Sequence, residues 1–277
     1  MANRVDLLKG LIRQKDITFS RRGDKRKSTK LLTQIKKVFN EILKETNDEI
    51  FQQDIIRLLF SEVANPYVSS NFFPEDMKTY GRYRNIIDFT NDIQIEMRWM
   101  SYCFRFYNKE ISEFVTEREK YDNYILLNKY EDALNVIKNV EARLGVSLWS
   151  LECKFYLYTK MNLNKNELME QAPESIMGGV MSFYELKNRD NVTSDEYFYI
   201  ANKEINNAKK YNADIENYVE FCAYKIASLV YKMNEEKILQ ILWIIRQTSL
   251  IDRYIFFCDV CDYIVTLPEG KRLIFSR

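Results

Sequence analysis

Seven glycines and four prolines in 277 residues constrain the backbone more than any other feature of this chain. Sheet-rich folds reverse direction often, through tight turns that these two residue types supply. A chain this poor in both turns rarely, so an all-α fold is expected. The hydrophobic fraction of 46% and charged fraction of 29% are those of a globular core rather than a disordered chain. The 19 tyrosines and 17 phenylalanines predict broad aromatic packing between helices.

Apolar residues recur at helical spacing through most of the sequence. Leu7, Leu8, Leu11 and Ile12 suit one short helix. Asp16 to Lys27 reads as an exposed basic connector, with Ser28 as the N-cap of a second helix carrying Leu31, Leu32, Ile35, Val38, Phe39, Ile42 and Leu43. Asp48 to Val63 predicts a third, with Ile55, Leu58, Leu59 and Phe60 inward. Asn65-Pro66 and Phe73-Pro74 bracket the clearest break, around an aromatic loop. A long helix is expected from Arg84, using Ile86, Phe89, Ile93, Met97, Met100 and Phe104. This divides the chain into a basic helical region at 1–75 and a helical-repeat-like domain at 76–277.

Further on, helices are expected at about 110–127, 175–187, 193–211, 213–231, 235–248 and 250–266. Thr193 to Glu196 is a capping-box pattern, and Ser249 and Asp252 suit the start of the last helix. That helix is expected to turn Leu250, Tyr254, Cys258, Cys261 and Val265 inward.

Tyr130-Glu-Asp-Ala133-Leu134, with Ile137, Val140 and Leu144 after it, resembles the turn and second helix of a tetratricopeptide repeat. The resemblance covers about residues 112–165. It implies antiparallel hairpins in a solenoid-type array, with Ala133 allowing close helix approach. Gly145 would stop the second helix and Ser147 would cap the next.

Charge is unevenly distributed. Residues 1–44 hold 13 Lys/Arg and 4 Asp/Glu, a net of +9, and the remainder balances it to a whole-chain +1. Such asymmetry points to an acidic ligand for one end. The ligand-binding residues this suggests are Arg21, Arg22, Lys25, Arg26, Lys27 and Lys30. Tyr80, Arg82, Tyr83 and Arg84 join them, because aromatic rings beside arginines suit unpaired bases or a phosphate backbone.

Histidine is absent from the sequence. That excludes Ser-His-Asp and Cys-His catalysis, and zinc or di-iron sites that need imidazole. No Gly-rich phosphate loop of the P-loop or dinucleotide type occurs. Cys258-Asp-Val-Cys261 lacks a second pair at zinc spacing and reads as two small core residues. Asp88, Asp92 and Glu96 fall every fourth residue, either as a solvated acidic face or as a carboxylate set for a divalent cation.

The expectation is a non-enzymatic helical adaptor that binds a partner protein, and an acidic ligand through its basic region, with no catalytic residue, no metal and no cofactor. One alternative is a nucleic-acid-binding subunit of a bacterial or phage-related multi-protein system, such as antiviral defence, prompted by a composition typical of AT-rich genomes. Another is a metal-dependent enzyme using the three carboxylates. The charged N-terminus, five dispersed cysteines and lack of a ~20-residue apolar run predict a cytoplasmic protein without membrane partners.

Overall fold

A computed structural model describes residues 4–19, 25–61, 74, 77–80, 89–171, 179–189, 193, 195–197, 199–200, 202–203, 216–226 and 232–268. Among these, all regular structure is helical. The chain divides into two units, one of residues 1–72 and 84–106, the other of residues 73–83 and 107–277.

The first unit contains α1 (Arg4–Phe19), α2 (Lys25–Leu43), α3 (Asp48–Leu59) and α4 (Ile93–Phe106). α2 is the most plainly amphipathic. Leu31, Ile35, Val38, Phe39 and Ile42 are buried on one stripe, facing Val5, Leu8 and Ile12 of α1. Each such side chain contributes about 1.5–3 kcal/mol by leaving water. The helix begins at Lys25, so Ser28 lies inside it rather than capping it. α3 starts at Asn47, whose Oδ1 accepts from the Ile50 amide at 3.1 Å. It ends at Leu59, which leaves Phe60 69% exposed rather than inward; its ring meets Phe106 edge-on at 5.4 Å.

α4 belongs to this unit, not to the larger domain expected to hold it. Arg98 ties it to α3: one nitrogen bonds Asp48, another donates to Glu45 O at 2.8 Å, and the guanidinium lies 4.0 Å over the Phe51 ring. α4 is also shorter than expected. Asn91 takes φ 57°, which interrupts any helix, and Asp92 restarts one by accepting from the Gln94 amide at 2.9 Å.

The second unit contains α5 (Asn108–Leu126), α6 (Tyr130–Leu144), α7 (Leu148–Lys160), one turn at α8 (Asn166–Met169), α9 (Gly179–Lys187), α10 (Glu216–Ile226), α11 (Glu235–Ile245) and α12 (Leu250–Thr266). α5 and α6 form a hairpin with Ala133 fully buried beside Phe114, Tyr121 and Ile137. Trp149 of α7 packs in T-shaped contacts with Phe114 at 4.9 Å and Tyr121 at 5.9 Å. Gly145 closes α6 at φ 79°, ψ 170°, a combination that only glycine adopts without strain. Ser147 and Ser150 then form the capping box of α7. The Thr193–Glu196 box is present too, with the Glu196 carboxylate accepting from the Thr193 amide at 3.0 Å.

α12 turns a different face inward from the one its apolar residues predict. Leu250 of the expected stripe is buried, but so are Ile251, Asp252, Arg253, Phe256 and Val260, while Tyr254, Cys258 and Cys261 are half-buried and Val265 is exposed. An apolar stripe omits Asp252 and Arg253 because both are charged. They are buried because each bonds the end of another helix.

Candidate functional site

Of the sequence-predicted basic cluster, α2 contains Lys25, Arg26, Lys27 and Lys30. Lys30, Lys36 and Lys37 are exposed opposite the buried stripe, and Lys44, just past the helix end, is exposed too. Glu41 on the same face lies 3.9 Å from Lys37, too loose to neutralise it in water. Lys25, Arg26 and Lys27 begin the helix rather than a connector, and no acid stands in that first turn. Cations there oppose the helix dipole, which favours anions at an N-terminus. The side chains of Lys25, Arg26 and Lys27 lie outside the described residues, as do Arg21, Arg22, Arg82, Tyr83 and Arg84.

The base of this face is anchored by Arg4. Its guanidinium meets Asp54 and Glu45, each at 2.7 Å. Glu45 also accepts from the Asn47 amide at 3.0 Å. That backbone bond, and then Arg4, hold the Glu45 carboxyl below its ordinary value.

Tyr80 does not serve as the exposed stacking platform expected of it. It is fully buried in the second unit, with its hydroxyl donating to Val146 O at 3.2 Å and lying 3.4 Å from Asp252 Oδ2. Burial, then the charge of Asp252, push its phenol well above 10. The short motif around it looked surface-like because it holds glycine and arginines. The deciding fact, a partner 172 residues away, has no local signature.

The acidic set also resolves into structural roles. Asp92 caps α4, and Glu96, 2% exposed, accepts from the Thr90 amide at 2.9 Å and the Thr90 hydroxyl at 2.8 Å. Asp88 lies outside the described residues. No group of three metal-ligating side chains occurs among the described residues. Cys258 and Cys261 are free, half-buried rather than core, and burial raises both thiols. Burial likewise lifts Cys222 to about 12 and raises Cys153 further. Raised thiols are poor nucleophiles at neutral pH.

Sequence reasoning overlooked two further features. Asp252, fully buried, accepts from the Leu148 amide at 3.0 Å, the Trp149 amide at 3.1 Å and the Ser249 hydroxyl at 2.9 Å, with Lys225 Nζ at 3.7 Å. An open cleft of about 600 Å³ lies between Tyr224 of α10, Lys232 and Met233 before α11, and Asp259, Asp262, Tyr263 and Thr266 of α12. No described helix is long and apolar enough to cross a membrane. No family model, curated protein or solved structure matches the chain.

Proposed function

We propose that this protein is a non-enzymatic helical adaptor whose basic α2 face takes an acidic surface of a partner protein. The observation that carries the reading is the row of exposed lysines at 30, 36 and 37, set on a helix whose opposite face buries Leu31, Ile35, Val38, Phe39 and Ile42. A rigid helix presents such charges in fixed register, which steers association and selects a complementary partner. Unpaired nucleic acid is the less favoured ligand, because the Tyr80 ring is enclosed and offers no stacking surface.

A repeat-like scaffold in the second unit is supported by its turns. Asn128 and Asn162, 34 residues apart, both adopt left-handed backbone, at φ 56° and 54°. Each closes the same motif, with Lys129 N to Tyr124 O and Leu163 N to Tyr158 O, both at 2.8 Å. That spacing is the length of a tetratricopeptide unit.

Fluorescence anisotropy tests the reading, using a labelled poly-glutamate peptide and single- and double-stranded DNA and RNA at low and physiological salt. Salt-sensitive peptide binding, lost in K30E/K36E/K37E at unchanged helical circular dichroism, is expected. Preference for duplex nucleic acid would transfer the face to phosphate binding. No binding at low salt would assign the lysines to solvation.

A further inference from the structure

We infer that the cleft between α10 and α12 binds an alkylammonium group, either on a small free diamine or on a lysine side chain of a partner. Its volume, about 600 Å³, is in the range of sites that enclose small organic ligands. Two carboxylates, Asp259 and Asp262, stand one turn apart on α12, against one lining cation among the described residues, Lys232. A helix places such a pair on one face, a few ångströms apart.

Neither carboxylate is in an ion pair with another described residue. Asp259 is half-buried, and the Tyr224 hydroxyl donates to its Oδ2, its one hydrogen-bond partner among the described residues. Tyr224 is held in turn by the edge of Phe256 at 5.3 Å. The nearest buried cation, Lys225, is directed to Asp252. Asp259 is therefore partly desolvated and oriented with no cation in contact among the described residues, and burial raises its carboxyl even though the Tyr224 hydrogen bond and the more distant charges of Lys225 and Arg118 oppose that rise. An incoming ammonium would supply that cation. The remaining lining fits an alkyl stem: Met233 is a flexible thioether, and Tyr263 offers a ring suited to cation contact. The Thr266 hydroxyl already donates to Tyr263 O at 2.7 Å, so it does not compete for the carboxylates.

Calorimetric titration of the full chain tests this with cadaverine, its neutral analogue pentanediol, calcium chloride, and a lysine-containing peptide with its acetylated counterpart. Saturable cadaverine binding in the roughly millimolar range is expected, weakened about tenfold in D262N and further in D259N. D262N changes an exposed side chain, so it reports on binding even if D259N disturbs the fold. Binding of the peptide alone, abolished by acetylation, would support the site and identify a partner's lysine as the source. Equal binding of pentanediol, tighter binding of calcium, affinity unchanged in D262N and D259N, or no saturation by any ammonium probe would each overturn the inference. These outcomes are independent of the α2 lysines, which lie in the other unit.

Discussion

Asp252 and Arg253, neighbours in the first turn of α12, bond opposite ends of two other helices. The Asp252 carboxylate accepts the first two amides of α7, and Arg253 donates to the Thr248 and Arg246 carbonyls beyond the end of α11. The anion therefore meets a positive helix terminus and the cation a negative one. Two buried charges become tolerable because each satisfies backbone groups that would otherwise be orphaned. The arrangement locks α7, α11 and α12 into one register.

Replacing Asp252 should be the most damaging single change in the second unit. Asp252→Ala leaves two amides and Lys225 buried without an acceptor, a loss of about 3–5 kcal/mol. Tyr80→Phe removes only one donor and should cost about 0.5–1.5 kcal/mol. Urea denaturation of both variants checks the order, and equal midpoints for wild type and Asp252→Ala would contradict the capping role.

Ala133→Leu should wedge apart α5 and α6. Ala133 is fully buried in the hairpin, so the added methylenes have nowhere to go, and a loss of about 1–3 kcal/mol is expected. An unchanged melting temperature would show that the hairpin can open.

Gly145→Ala separates conformation from packing. An added Cβ at Gly145 would meet nothing within 4 Å, so sterics with neighbours predict no penalty. The φ of 79° with extended ψ predicts a loss of about 1–3 kcal/mol. Thermal denaturation decides between them.

Glu45→Gln should reveal a pH-dependent contribution in the first unit. The native carboxyl lies below its ordinary 4.5, so its contribution is fully present above that value. It is lost as pH falls through the lowered native value. The variant should be less stable at neutral pH, with the gap closing in acid. A gap constant with pH would remove the ionic origin.

The five thiols should react slowly with a disulfide reagent in the native state and completely in urea, because the four with shifted titration are raised by burial. Fast native modification of Cys258 or Cys261 would contradict that environment.

Much of the local structure was legible in the residue order. Ser147, Thr193 with Glu196, and Ser249 announce helix starts because a cap bonds amides only two or three positions away. The α2 stripe announces its buried face because one helix period suffices to define it. The α5–α6 hairpin follows from helical spacing around a short turn. The scarcity of glycine and proline already pointed to helices. Tertiary structure alone decided the rest. It placed α4 against α3 through Arg98, enclosed Tyr80, and turned Asp252 and Arg253 inward where an apolar stripe had predicted Cys258 and Val265. It also brought Tyr224 to Asp259 to floor a cleft. Except for Arg253, whose partners Thr248 and Arg246 are only 5 and 7 residues back, these outcomes depend on partners between 35 and 172 residues away. A charged side chain is buried when a distant helix end needs it, and that need is not written in its neighbours.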